Sequence, residues 1–313
     1  MTIREALATG KASLVEAGIE NPTLDASLLL AEVLGINRSS LLVAAGDSGR
    51  LLGETSLAAF DGFIRRRAGG ECVAYILGRK EFYGLEFLVN QSVLVPRPDT
   101  ETLVEAALAH LSAAKQSAGE GQPPRMLDLC TGSGAVAVAV KHQMPELEVW
   151  ATDISPQALE IAQTNAMRLL PQGNVTFLCG NLFEALVQDL LDSNSKQERP
   201  MFHIITSNPP YVPAGEIPGL SPEVCAEPAL ALDGGDDGLD LIRNIVLNAP
   251  GFLFPGGTLM LEADPCQMGE IALLLGKAGF TGIQTHPDLS GRERVIAAQK
   301  VSHAYADCFS NPP

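Results

Sequence analysis

Between Arg125 and Gln299 short apolar runs alternate with longer stretches of helical periodicity, and that alternation leaves few folds open. The runs Met126–Leu129, Glu148–Asp153, Val175–Cys179, Phe202–Ser207, Thr258–Glu262, Gly282–His286 and Val295–Gln299 read as strands. Helices are expected to begin near Gly134, Pro156, Gly238 and Cys266, and the polar stretch Asp192–Pro200 reads as a loop. Strands joined by helices pair in parallel, so the spacing predicts a doubly wound, mostly parallel α/β sheet. Sheets of this kind bind ligands outside the carboxyl ends of their strands. The candidate functional residues are therefore those at strand ends.

Two strand ends carry nucleoside-binding features. Leu127-Asp128-Leu129 runs into Cys130-Thr131-Gly132-Ser133-Gly134-Ala135, a glycine-rich turn that opens a helix. Glycines there let the backbone approach a nucleoside and take dihedrals that other residues resist. The next strand ends in Trp150-Ala151-Thr152-Asp153, which puts a carboxylate where ribose hydroxyls need an acceptor. Gly132–Ala137 also fits the dinucleotide fingerprint, so the loop alone leaves NAD open. Asp128 favours S-adenosylmethionine instead, because a carboxylate ahead of the turn repels a pyrophosphate and attracts the ammonium of a methionine moiety.

The most informative stretch is Ile204-Ile205-Thr206-Ser207-Asn208-Pro209-Pro210-Tyr211, a buried strand that stops abruptly. An amide or aromatic amino nitrogen is a poor nucleophile because its lone pair is delocalised. Two acceptors, each taking one N–H hydrogen, draw such a nitrogen towards tetrahedral geometry. The Asn208 side-chain oxygen and the Pro209 carbonyl can be those acceptors. The prolines hold the backbone extended, which preorganises the site, and Tyr211 offers a face for a planar acceptor.

The first 70 or so residues read as short helices: Thr2 and Glu5 form a capping box, and helices follow near Leu24–Leu34, Arg38–Ala45 and Glu54–Arg67. The last ends in Arg65-Arg66-Arg67, read as a solvated helix end. Tyr75–Gly78 and Phe82–Val89 are β-rich runs and suggest a hairpin; a helix opens at Pro96–Glu101 and runs to about Leu111. Ala113–Pro124 reads as a loop, and the tail after Lys300 as frayed.

Charge bears on partners. Acids outnumber bases 37 to 21, a net charge of -16, which suits a basic protein partner better than nucleic acid. The six cysteines form no C-x-x-C pair and no histidine stands at metal-ligand spacing, so reduced thiols in a cytoplasmic protein without a metal are expected. No apolar run reaches the length of a membrane span, and Met1–Glu5 lacks a signal-peptide pattern.

Taken together, the chain resembles the HemK/PrmC family of protein-(glutamine-N5) methyltransferases. The resemblance is carried by Tyr75–Gly78, Phe82–Leu85, Val95–Glu101, the glycine loop, Asn208-Pro209-Pro210-Tyr211, Glu227-Pro228, Gly234–Leu239 and Asp288-Leu289-Ser290-Gly291-Arg292. It implies a Rossmann-like class I methyltransferase sheet with an antiparallel last strand, preceded by a small helical domain joined through a β-hairpin. The implied boundaries are 1–71 for a release-factor-docking domain, 72–97 for the hairpin, 98–300 for the methyltransferase domain and 301–313 for a tail. The implied cofactor is S-adenosylmethionine, held by Asp128, Cys130, Thr131, Gly132, Ser133, Gly134, Asp153, Ile154, Asn181, Leu182 and Asn208. Asn208, Pro209, Pro210 and Tyr211 would then hold the acceptor, the glutamine of the Gly-Gly-Gln motif in class 1 peptide chain release factors.

Three places depart from the family pattern: Cys130 stands for a glycine, Asn181-Leu182 for an acidic–aromatic pair, and Asp264-Pro265-Cys266 follows Glu262. On that resemblance Asn181 can still contact adenine by hydrogen bonds, and Leu182 can pack on the ring without aromatic stacking. The rival readings are a ribosomal-protein glutamine methyltransferase, an N6-adenine nucleic-acid methyltransferase, a non-catalytic binding module and an NAD-linked oxidoreductase. The adenine enzyme would need a basic groove, and none of the five histidines stands in a hydride-relay motif.

Overall fold

The computed structural model describes residues 1–47, 50–117, 123–170, 174–192 and 199–301. The chain divides into two compact units, Met1–Arg79 with Leu220–Ala226, and Lys80–Gly219 with the residues from Glu227 on.

In the first unit α1 (Ile3–Glu16), α2 (Pro22–Val33), α3 (Arg38–Gly46), α4 (Glu54–Ala68) and α5 (Val73–Leu77) pack around Leu14, Leu29, Leu30, Leu41 and Phe60. The capping box that opens α1 is formed: the Thr2 hydroxyl accepts the Glu5 N–H at 3.2 Å, and the Glu5 carboxylate accepts the Thr2 N–H at 2.8 Å. Gly10 lets α1 approach α4, since a Cβ there would come within 2.7 Å of the Phe60 ring. Two expectations are corrected. Arg67 is no solvated helix end; it is buried, 2.7 Å from Asp25, and also pairs with Glu223. A charge so placed is tolerable only because it is paired. Tyr75–Leu77 is helix rather than strand, because a helical turn ended by the left-handed Gly78 buries both Tyr75 and Ile76; a strand would turn them to opposite faces.

A hairpin follows, of β1 (Arg79–Phe82) and β2 (Leu85–Leu88), which from Lys80 on belongs to the second unit. A 3₁₀ turn, Pro98–Thr100, leads into α6 (Glu101–Ser117), which runs past the expected loop start at Ala113; residues 118–122 of that loop lie outside the described residues. The sheet then comprises β3 (Arg125–Leu129), β4 (Glu148–Asp153), β5 (Val175–Cys179), β6 (Phe202–Ser207), β7 (Leu253–Glu262), β8 (Phe280–Pro287) and β9 (Glu293–Lys300), in the order β5-β4-β3-β6-β7-β9-β8. The strands from β5 to β7 are parallel, and β9 runs antiparallel to both its neighbours. The helices are α7 (Ala135–Gln143), α8 (Pro156–Leu169), α9 (Glu184–Asp192), α11 (Asp240–Asn248) and α12 (Met268–Lys277), with α10 (Pro222–Cys225) in the first unit's segment.

The period-two alternation of strand side chains explains the layers. Met126, Val149, Ile204 and Met260 face a core shared with α6, α7 and α8, whereas Leu127, Ile205, Leu259 and Leu261 face one shared with α9, α11 and α12. Strand boundaries agree closely with expectation, except that β7 starts at Leu253 rather than Thr258. Helix α9 was not anticipated, although a parallel β5-to-β6 crossover calls for one. Residues 193–198 of the expected polar loop, and 302–313 of the tail, lie outside the described residues. No single helix among the described residues is long and apolar enough to cross a membrane.

Candidate functional site

The parallel strands carry their carboxyl ends to one edge, and there the second unit has a cleft. Its floor is the β3–α7 turn. Asp128, Cys130, Thr131, Gly132 and Ser133 line it, together with Asp153 and Ile154 after β4, and Asn181 and Leu182 after β5. Asn208 and Pro210 line it from the end of β6. The sequence-predicted residues are thus gathered in one place, with three exceptions: Gly134, Pro209 and Tyr211 are not among the lining. Gly134 sits in the left-handed region at the N-cap of α7, its Cα side against Ala162. Tyr211 packs against the α11–α12 core, and burial, followed by the charge of Glu262, pushes its phenol up to about 12.

The turn is held by carboxylates. Asp153 accepts the N–H of Gly132 at 2.8 Å on one oxygen and that of Ser155 at 2.9 Å on the other. Asp128, 2% exposed, accepts the hydroxyls of Thr131 and Thr206, both at 2.7 Å. Burial lifts Asp128 to about 6 against those two hydrogen bonds, and also raises Asp153. Both acids keep lone pairs for a ligand carrying hydroxyls or an ammonium. Gly132 has nothing within 4 Å of the place a Cβ would occupy, so its backbone is open to a nucleoside. Ile154, Leu182, Val136 and Ala158 supply apolar surface for a purine. Asp128 and Asp153, the open backbone at Gly132 and this apolar surface fit S-adenosylmethionine.

Two of the departures noted from sequence now have a structural measure. Cys130 and Leu182 both adopt positive φ, +56° and +49°, the region glycine enters freely and other residues enter at a cost. The half-buried Cys130 lines the cleft; desolvation first, then the charge of Asp153, push its thiol up to about 12. Since the thiolate is the reactive species, iodoacetamide at pH 8 is expected to modify exposed Cys179 and Cys225 well before Cys130. Peptide mass spectrometry reads this directly, and early labelling of Cys130 would contradict the assigned environment.

Several contacts around the cleft escaped the sequence reading. Asn208 donates from Nδ2 to the Thr100 hydroxyl at 3.2 Å, a contact across 108 positions. Glu227, buried, accepts the Val95 N–H at 3.1 Å and pairs with Arg97, tying the Ser92–Arg97 segment over the cleft. Asp264-Pro265-Cys266 acquires an explanation: Asp264 caps the 3₁₀ turn Pro265–Gln267 in a capping box, which presents the Gln267 amide to the Tyr211 carbonyl at 2.9 Å. Gly238 is forced at the same spot, where a Cβ would lie 2.2 Å from that carbonyl.

A mostly parallel sheet with a glycine turn and acidic strand end beside Asn-Pro-Pro-Tyr defines a Rossmann-like methyltransferase. Residues 5–78 match the family model described as PrmC N-terminal domain, and residues 126–195 the model described as methyltransferase domain. The chain is 38% identical over 300 residues to the release factor glutamine methyltransferase of Deinococcus radiodurans, covering 96% of this chain and 99% of that protein. With the protein of the same name from Geobacter sulfurreducens it shares 40% over 299 residues, covering 95% and 96%. The chain belongs to the release factor glutamine methyltransferase family. Among solved structures the hMettl16 catalytic domain is similar in fold alone, with a TM-score of 0.51 at 14% identity over 76% of this chain and 81% of that one.

Proposed function

We propose that the protein transfers the methyl group of S-adenosylmethionine to the side-chain amide nitrogen of the glutamine in the Gly-Gly-Gln motif of class 1 release factors. The observation that carries this reading is Asn208, set at the end of β6 in the same cleft as the glycine turn and Asp153, with its Nδ2 already engaged by Thr100. Bound S-adenosylmethionine supplies a methyl carbon made electrophilic by its sulfonium. Asp153 would take the ribose hydroxyls, Asp128 the ammonium, the backbone and side chains of residues 130–134 the methionine portion, and Asn181, Ile154 and Leu182 the adenine.

Asn208 Oδ1 and the Pro209 carbonyl accept the two N–H hydrogens of the glutamine amide. Its lone pair is thereby released from conjugation and aimed at the methyl. Alignment within about 3–3.5 Å then supplies much of the acceleration, while Pro210 and Tyr211 keep the acceptors fixed. We assign residues 1–71 to docking of the factor, 72–97 to the hairpin link and 98–300 to transfer. A charge of -16 supports a protein rather than a nucleic-acid acceptor, and the reaction belongs in the cytoplasm, where release factors act.

Purified release factor incubated with labelled S-adenosylmethionine is expected to gain label, and a factor with the Gly-Gly-Gln glutamine changed to alanine is expected to gain none. Label on duplex DNA, or on the altered factor, would overturn the acceptor assignment.

A further inference from the structure

We infer that Glu262 and Thr100 are positioning residues that determine which end of the Asn208 side chain faces the cleft. The inference rests on the glutamine-amide reading above and goes beyond it to the origin of the site's polarity.

An asparagine carboxamide has two ends of similar size and opposite hydrogen-bonding character. A glutamine –NH₂ needs an acceptor; facing an Asn208 –NH₂ it would meet donor with donor. Something must therefore hold the carboxamide the right way round. Glu262 ends β7, 1% exposed, and Thr100 ends the 3₁₀ turn before α6, 4% exposed. The side chains of Thr100 and Asn208 neighbour the Glu262 carboxylate and favour its ionised form. Asn208 Nδ2 also donates to the Thr100 hydroxyl at 3.2 Å. An ionised carboxylate only accepts, so the hydroxyl must point its hydrogen at Glu262, and the –NH₂ of Asn208 must turn the same way. Oδ1 is left for the cleft. Each donor in this chain is fixed by the next group, and its direction is set by one negative charge.

One Glu262 oxygen, Oε2, is buried without a hydrogen-bond partner. A structural carboxylate would be expected to satisfy both oxygens; this one, buried behind Thr100 and Asn208, keeps spare accepting capacity. The charged groups around it are Arg294 on β9 and Asp99 on the 3₁₀ turn, with Asp288 reaching it only through Arg294, 3.6 Å away. Tyr211 faces it after β6. Burial raises Glu262 to about 7, opposed by Thr100 and Arg294. Once protonated, Glu262 becomes a donor, and the constraint on Thr100 and Asn208 is released. The sign follows: kcat falls as pH drops through about 7.

The experiment measures kcat, KM for release factor and calorimetric Kd for S-adenosylmethionine in the full chain and in Glu262→Gln, Thr100→Val and Thr100→Ser, between pH 6 and 9. Glu262→Gln and Thr100→Val are expected to lose about 10- to 100-fold in kcat, as for removal of a buried hydrogen bond to a charged group. The cofactor Kd should stay within about twofold, because the glycine turn and Asp153 are untouched. Thr100→Ser, which keeps the hydroxyl, should recover most of the loss, and Glu262→Gln should abolish the fall in kcat near pH 7. Parental kcat and a parental pH profile in Glu262→Gln overturn the inference. Should that variant fail to fold, equal kcat in Thr100→Val and Thr100→Ser overturns it just as well. A parent enzyme that leaves the factor unlabelled instead overturns the glutamine reading itself.

Discussion

Asn208→Ala is expected to slow methyl transfer to the release factor by about 10²- to 10³-fold, the range seen when one preorganised transition-state hydrogen bond is removed. The side chain reaches into the cleft from the end of a buried strand, and its –NH₂ is spent on Thr100. Truncation therefore removes the acceptor and also leaves one glutamine N–H unpaired in a desolvated site. The loss should fall on kcat, since the interaction strengthens as the nitrogen pyramidalises. Cofactor affinity should change only a few-fold, because the carboxylates that hold the glycine turn remain. Single-turnover transfer of label, paired with calorimetry on S-adenosylmethionine, separates the two. Parental turnover would remove Asn208 from the reaction.

Asp153→Ala should produce the opposite split, raising the Kd for S-adenosylmethionine about 10- to 100-fold while leaving kcat at saturating cofactor close to the parent. One carboxylate does two jobs here. Its oxygens hold the N–H groups of Gly132 and Ser155, at 2.8 and 2.9 Å, and the remaining lone pairs face the cleft. Alanine would free Gly132, which sits at φ +55°, and withdraw the ribose acceptor in the same step. An unchanged Kd would show that neither matters to binding.

The two predictions rest on parts of the molecule that differed in how visible they were beforehand. Strands β4, β5 and β6 could be bounded from sequence because each is a short β-rich run ending at a residue that cannot continue it, such as the Asn208-Pro209 step after Ser207. The cleft followed, since topology alone brings the ends of β3, β4 and β6 together. Local composition misled at Tyr75–Leu77, where β-favouring residues form a helical turn because tertiary burial outweighs propensity. Arg67 was misread for a related reason: a basic run at a helix end is ordinarily solvated, and its partners Asp25 and Glu223 lie 42 and 156 positions away. Thr100 and Glu262 were beyond reach for the same cause. Nothing local to either residue announces that the fold will set both against Asn208.

The position of β9 has a consequence for how the enzyme comes into being. Among the described strands it is the last to be synthesised, yet it lies inside the sheet, between β7 and β8. On the ribosome β8 therefore emerges with no neighbour, and one edge of β7 stays open until residues 293–300 have followed. Such an edge is a template for pairing with other chains. Arg294 arrives with that same strand, so the ion pair it makes with Asp99, at 3.1 Å, forms only then. The open edge of β7 is thus closed, and the Arg294–Asp99 pair made, only once β9 has followed the rest of the sheet.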